Sequence, residues 1–486
     1  MALVIYLDNT AGIPLYEQLY EKIKAEIVSG QMAYNSVLMP IRKMAEELKI
    51  SRNTVDHAYQ QLVCEGYLRS VQGGGYFVDY LEERFHTGDG AGKAQAAAIL
   101  DVKAPPKLKY DFKYECKETS TFSWVKWRKY VLNAILEEEC QGAVSYETNK
   151  GNYRLRQSLC QYLKNSRGVN ATPEHIVVCA GTQYGIQIIT SLLPEGNRTL
   201  AFEEPGYNGM IKVFKLAGYD VIPVPVETDN MDVEVLREKK CSLLYITPSH
   251  QFPTGIITSF SKRLELLEWA EENNAYIIEN DYDNEFGYGE KKLPSLQSVD
   301  TAGRVIYVST LTKVLSPSIR CAYFVLPDAL LEKYNAMYNF FNASLPTYHQ
   351  MALSDFINDG MLDKHVREMS VINRRKFEII IDVFEEYAND AITMLGSPAG
   401  SHVLIKIPQC RDEESLIAHM KTKGIGLYGT REYWADKHNA PVNVFLFGYN
   451  SITVKNLERA CMRFVKELLK YLDKHSTDTA HYAAVN

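Results

Sequence analysis

The sequence has no uninterrupted run of about eighteen apolar residues, the length a membrane-crossing helix needs. Its N-terminus, MALVIYLDNT, has no basic stretch ahead of an apolar core, so no export signal is expected. Together these absences predict a cytoplasmic protein that is neither exported nor membrane-spanning. The nine cysteines are scattered, with no C-x-x-C and no paired Cys/His cluster. An odd count at irregular spacing argues against a disulfide scaffold and structural zinc, and predicts reduced thiols and no metal site. No internal repeat recurs at a fixed period, which argues against a solenoid. Nor is there a basic excess: 53 Lys and Arg stand against 60 Asp and Glu, a net charge of −7. Bulk electrostatics therefore give no reason to expect nucleic-acid binding. What is present is 486 residues, 46% hydrophobic, 11% aromatic and 23% charged. That is the mix of a folded chain with large cores, long enough for two or three domains.

Residues 82–109, EERFHTGDGAGKAQAAAILDVKAPPKLK, mix Gly, Ala, charges and a Pro-Pro pair without a sustained apolar period. They read as a linker between a head, 1–81, and a body, 110–473. A polar tail, 474–486, has no apolar pattern and is expected to fray. In the body, short apolar stretches such as IVVC, TLAFEE, SLLYIT, AYIIEN and RVIYVS alternate with helical segments. This pattern predicts an α/β fold: a mostly parallel sheet with helices on both faces.

In the head, Leu15, Leu19, Ile23 and Ile27 form one stripe of a helix that begins near Pro14. A second helix fits 41–48, and a tight turn at Lys49-Ile50 leads to Ser51, placed to cap a third helix running to Glu65. Two helices joined by a short turn suit a helix-turn-helix, and GYLRSV and YFVDY around Gly73-Gly74-Gly75 suit a two-stranded wing. The stretch SRNTVDHAYQQLVCEGYL, followed by the glycine turn and YFV, resembles the winged helix-turn-helix head of the GntR family of bacterial regulators. The resemblance implies that Ser51, Arg52, Asn53 and Thr54 meet double-stranded DNA and that Arg42 holds a backbone phosphate. The chemistry suits that: Arg and hydroxyls position on phosphates, and Asn or Arg reads base edges. Seven basic residues against nine acidic ones in 1–80, and a wing turn, Val71-Gln72-Gly73-Gly74-Gly75, without basic residues, imply a weak phosphate grip per head and a need for dimerisation.

In the body, Lys313 follows a strand and two threonines and precedes Arg320 by seven residues, in VSTLTKVLSPSIRCAYFVLP. A lysine behind a strand, beside hydroxyls and an arginine, suits a Schiff base with an anionic aldehyde cofactor. Thr310, Thr312 and Arg320 would supply its phosphate donors. Any single lysine is more often a solvated surface residue; four companion motifs reverse that. Gly181, Thr182 and Gln183 lie between a strand and a helix, where backbone N–H groups hold phosphate. Tyr207, in a turn after a strand, suits stacking on a flat ring. TPSHQFPTG carries His250 and Gln251, and ENDYDNEF brings Asn280, Asp281 and Tyr282 to a strand end. A carboxylate there keeps a pyridine nitrogen protonated, and a tyrosine hydroxyl can hold the ring's phenolic oxygen.

Together these motifs look like a fold-type I pyridoxal-phosphate aminotransferase, with Tyr146 and Gly151 in the places expected of its N-terminal region. The resemblance implies that Lys313 forms the internal aldimine with pyridoxal 5'-phosphate. It also implies that Tyr207 stacks on the ring, that Tyr282 contacts the phenolic oxygen, and that Thr182, Gln183, Thr310, Thr312 and Arg320 gather the phosphate. A GntR-type head joined to such a body is the arrangement of the MocR/GabR subfamily. This resemblance implies a regulator that senses an amino compound, or the cofactor itself, and alters promoter binding. It further implies a head-to-tail, domain-swapped homodimer, associated with the nucleoid when on DNA.

Two departures bear on chemistry. Where the family more often has Asp, this chain has Asn280, so either Asp281 faces the pyridine nitrogen or that nitrogen is not firmly held protonated. The late strand VNVFLFGYNS lacks the arginine that aminotransferases usually place there for a substrate carboxylate, and Arg431 is either its substitute or a surface ion-pair residue. Both departures favour a sensor with at most residual half-transamination. The alternative is a working aminotransferase with a vestigial DNA-binding head.

Overall fold

The computed structural model describes residues 7–8, 13–71, 73–79, 108–114, 122–141, 147–227, 230–283, 285, 293–396 and 400–483. The chain divides into two compact units, Met1–Pro106 and Lys107–Asn486. Of the expected linker only residues 108 and 109 fall within the described residues, and Tyr146 and Gln72 of the wing lie outside them.

In the first unit, helix α1 spans Leu15–Val28 and starts directly after Pro14. Its buried stripe, Leu19, Tyr20, Ile23 and Ile27, packs on Val55, Ala58, Tyr59 and Leu62 of helix α3, Arg52–Cys64. Between them, helix α2 spans Ile41–Leu48 and ends at Lys49, whose φ of 54° is left-handed. That conformation turns the chain sharply, and the Ile50 N–H closes the turn onto the Ala45 carbonyl at 3.1 Å. Ser51 then caps α3, its hydroxyl oxygen accepting from the Thr54 N–H at 3.1 Å. Strands β1, Leu68–Val71, and β2, Gly75–Val78, pair antiparallel as the wing. Gly73 and Gly75 supply the positive φ values, 76° and 95°, that their connection requires.

The second unit is built on an eight-stranded sheet. Its order is Ile176–Cys179, Ala322–Val325, Val305–Thr310, Tyr276–Asn280, Leu243–Ile246, Thr199–Glu204, Asp220–Glu227 and the two-residue Asn230–Met231. The four pairings from Val305–Thr310 to Asp220–Glu227 are parallel; Ala322–Val325 runs antiparallel to both of its neighbours. Side chains alternate between two covered faces. Ile176, Val178, Tyr307, Tyr323 and Val325 enter one core, while Val177, Cys179, Ile306, Val308 and Phe324 enter the other. Burial on both faces is why these strands read as continuous apolar runs.

A four-stranded antiparallel sheet, Thr393–Leu395, His402–Lys406, Val444–Gly448 and Tyr428–Gly429, carries a separate core with the helix Val454–Ala483. That helix corrects the expectation of a frayed tail, since it continues through Ala483. The segment HSTDTAHYAA contains neither proline nor glycine, so nothing in it stops a helix already propagating from a packed stripe.

Candidate functional site

All four inner parallel strands, and the turn before the reversed one, deliver residues to one edge of the large sheet. In open α/β sheets the crevice beyond the carboxyl ends of the strands is where ligands bind. Here that edge encloses a cavity of about 170 Å³. Gly181, Thr182, Gln183, Tyr207, Asn280, Tyr282, Thr310, Thr312, Lys313 and Arg320 all line it. Asp281 does not.

Lys313 sits in a single helical turn, Leu311–Val314, at the end of the buried strand Val305–Thr310. Thr310 makes that turn by serving both sides. Its hydroxyl donates to the Cys321 carbonyl at 3.0 Å and accepts from the Thr312 N–H at 3.1 Å. The Lys313 amine lies 4.1 Å from the ring centroid of Tyr114, a cation–π distance.

One end of the cavity is an anion cradle. Gly181, at φ 112°, begins the helix Thr182–Leu192, so the unsatisfied N–H groups of its first turn open onto the cavity. Arg320, held at a left-handed φ of 48°, turns its guanidinium onto this corner and donates to the Ala180 carbonyl at 3.2 Å. A Cβ at position 181 would overlap that guanidinium. The Thr312 hydroxyl, buried and without a hydrogen-bond partner among the described residues, faces the same space.

Elsewhere on the cavity wall Asn280 donates to the Tyr245 hydroxyl at 2.6 Å. Its Oδ1 is buried with no hydrogen-bond partner among the described residues. Asp281 points elsewhere: its Oδ2 accepts from Arg167 Nε at 2.7 Å and from the Tyr307 hydroxyl at 2.8 Å, in a buried ion pair. The charge of Asp281 is thereby engaged beneath the strand end. Tyr207 caps the helix Asn208–Leu216 and meets Phe252 edge-on at 5.8 Å. Gly209 leaves room for it, since a Cβ there would fall 2.7–2.8 Å from the Tyr207 ring.

Residues without a role assigned from sequence complete the wall: Tyr114, Glu203, Met210, Tyr245, Thr247 and Phe252. Burial pushes the Glu203 carboxyl up to about 7, even though it accepts from the Thr247 N–H and hydroxyl and from Gln251. Tyr114 has no local signature. It arrives beside Lys313 because Tyr110–Asp111 pairs with Ile425–Gly426. Arg431 does not line the cavity; its guanidinium lies 3.7 Å from Glu414.

The donor set fits a flat, anionic aldehyde: an amine, a helix N-terminus with an arginine for a phosphate, an aromatic ring, and an orphaned amide oxygen. In the head, Ser51, Arg52, Asn53 and Thr54 lie together at the start of α3, and Arg42 lies in the first turn of α2. Arg42, Ser51, Arg52 and Asn53 are exposed, and Thr54 is half-buried beside the Ser51 hydroxyl at 2.8 Å. Among the described residues, the side chains of Arg42, Arg52 and Asn53 have no hydrogen-bond or ion-pair partner.

Comparison with known proteins matches both units. Residues 15–78 match the family of bacterial regulatory proteins, gntR family, and residues 122–428 match aminotransferase class I and II. The chain is 31% identical over 460 residues to the uncharacterized HTH-type transcriptional regulator YdeL of Bacillus subtilis, covering 94% of this chain and 97% of that protein. It is 30% identical over 467 residues to the probable rhizopine catabolism regulatory protein MocR of Rhizobium meliloti, covering 93% and 94% respectively. Among solved structures, the multiple substrate aminotransferase of Thermococcus profundus superposes with a TM-score of 0.67 at 20% identity, over 81% of this chain and 98% of that one. That likeness speaks to the fold. With a winged helix-turn-helix head, an aminotransferase-type body and regulator relatives matched over nearly their whole length, the chain belongs to the MocR/GabR subfamily of GntR regulators.

Proposed function

We propose that this protein is a transcriptional regulator whose body binds pyridoxal phosphate and whose head binds operator DNA. The observation that carries the reading is the Lys313 amine in a cavity whose wall includes the Gly181–Arg320 anion cradle, in a chain that also bears a GntR head. Pyridoxal phosphate, when bound, supplies an aldehyde that condenses with primary amines and a conjugated ring that withdraws electrons. The residues here divide that work. Lys313 supplies the amine, Tyr207 a stacking face, Tyr282 a phenol, and Arg320 with the first turn of Thr182–Leu192 the phosphate donors. A small amino compound, or the cofactor itself, is the effector.

Dimerisation belongs to the same reading. The helix Trp124–Gln141 exposes Val125, Leu132 and Leu136, each more than half accessible, an apolar surface that supports association with a second copy. We propose the head-to-tail, domain-swapped arrangement of the subfamily, operating in the cytoplasm and on the nucleoid. No helix of the described residues is long and apolar enough to cross a membrane.

The second reading, a working aminotransferase with a vestigial head, draws support from the same intact cavity. One experiment separates them. Mobility shift with the DNA upstream of the gene, at stated salt, is run with and without pyridoxal phosphate and candidate amines, alongside half-transamination of the same amines. Specific binding altered by ligand, without rapid transamination, supports the regulator. Rapid transamination without specific DNA binding supports the enzyme.

A further inference from the structure

Behind Tyr282 on the cavity wall lies a buried chain of titratable groups. His250 Nδ1 is 3.0 Å from Asp283 Oδ2 and 3.2 Å from Oδ1, and the Tyr282 hydroxyl stands 3.3 Å from the same nitrogen. His250, Asp283 and Tyr282 are 4%, 5% and 8% exposed. The backbone closes directly over them: at Gly400, φ 71°, a Cβ would fall 2.6 Å from His250 Cε1 and 2.8 Å from Asp283 Oδ2. Tyr282 is hydrogen-bonded in turn to Tyr114, the ring over which the Lys313 amine sits.

We infer that Asp283 and His250 are a positioning pair that fixes which way the Tyr282 hydroxyl points its proton, and that the phenol so directed sets the proton balance at Lys313 in the cofactor-loaded protein. The inference rests on the pyridoxal-phosphate reading above.

Hydrogen-bond direction decides where the phenol's proton points. A carboxylate only accepts, so the imidazole nitrogen facing Asp283 carries the hydrogen. With its one hydrogen given to Asp283, Nδ1 has no lone pair left to accept the Tyr282 hydroxyl. The phenol's own proton is then directed away from His250, toward Tyr114 and the cavity. Replacing the carboxylate by an amide, which can donate, permits the other tautomer and reverses the phenol.

Neighbouring groups do not supply an alternative. His402, with ring centroid 5.3 Å from His250, is pushed well below the usual imidazole range by burial, with His250 and Lys313 adding to the effect. It is neutral, and its Nε2 faces the Pro253 carbonyl at 3.2 Å. Tyr114 and Tyr282 are pushed well above the usual phenol range, by burial first and by Asp283 next, so both keep their protons at neutral pH. Tyr207 and Tyr433 also face Tyr114, and Glu203 faces Tyr282.

The test is a pH titration of the visible absorbance of the full-length protein loaded with pyridoxal phosphate. A phenol donating into the cavity stabilises negative charge there and holds the titration midpoint down. Asp283→Asn and His250→Gln should raise that midpoint by about one pH unit, the scale of one hydrogen bond to a charged group. In a Tyr282→Phe background either change should add nothing further, because the pair acts through the phenol. Thermal unfolding of each variant is recorded in parallel. A loss of stability with the midpoint unmoved identifies a merely structural pair and overturns the inference, as does an additive shift in the Tyr282→Phe background. A parent protein that stays colourless with added pyridoxal phosphate overturns the underlying reading, and the inference with it.

Discussion

Arg320 reaches back across the cavity corner to Gly181, so closely that the glycine's missing side chain is where the guanidinium lies. Two uncommon backbone conformations meet there, φ 48° at the arginine and φ 112° at the glycine. A non-glycine residue in the left-handed region costs on the order of 1 kcal/mol. The geometry is therefore maintained against local preference, with the guanidinium beside the first turn of an eleven-residue helix. In the proposed reading that corner is the phosphate site.

Gly181→Ala tests it. The substitution strains the backbone and displaces Arg320, removing a charge-assisted contact worth about 1.5–3 kcal/mol. Affinity for pyridoxal phosphate, measured by absorbance titration, should fall at least about tenfold. The thermal midpoint without ligand separates this from unfolding.

Lys313→Ala should abolish attachment of the cofactor that survives borohydride reduction, while leaving the fold and basal DNA binding in place. Peptide mapping of the reduced parent should find the label at Lys313. A label on another lysine would reassign the site.

Asn280 leaves its Oδ1 without a hydrogen-bond partner among the described residues, and the charge of Asp281 is taken by Arg167. No carboxylate is thus offered to a ring nitrogen from this strand end. Asn280→Asp should favour the protonated ring and speed half-transamination of an amino donor about tenfold, the equivalent of one pKa unit. An unchanged rate would show that the nitrogen is governed from elsewhere.

Glu203 gives a pH signature. Burial raises its folded-state pKa to about 7 from an ordinary 4.5, so the folded protein binds this proton more tightly than the unfolded chain. Its contribution to stability is fully present below pH 4.5 and is lost as pH rises toward 7, by about 3 kcal/mol at most. Glu203→Gln should flatten that part of the thermal midpoint against pH profile between 4.5 and 7. A difference between parent and variant that does not change with pH would contradict the assignment.

Arg52, exposed at the start of α3, should contact phosphate or a base edge. Arg52→Ala should weaken operator binding without altering the cofactor spectrum. If the contact is to phosphate, the slope of log affinity against log salt should also drop by about one. A variant that binds as tightly as the parent would move the DNA contact to another face.

Much of this was legible in the sequence because the signals are local. The Ser51 cap, the Leu19–Ile23–Ile27 stripe and the glycine turn of the wing each lie within a few residues of what they shape. The same holds for Gly181 ahead of its helix and Lys313 behind its strand. The end of the last helix is not legible for a related reason: a polar segment carries no stripe of its own, yet without a breaker it prolongs the helix before it.

Other features depended on contacts between distant parts of the chain. Asp281 could equally have faced the cavity on sequence grounds; Arg167, 114 residues earlier, turned it away. Tyr114 reached Lys313 through a strand pairing with Ile425–Gly426, and His250 met Asp283 across 33 residues. Caps, turns and periodicity act between neighbours, so the elements that form and the chemistry they carry can be read along the chain. Which side chains face one another cannot, because strand order and the reversal of Ala322–Val325 are fixed by burying both faces of one sheet at once.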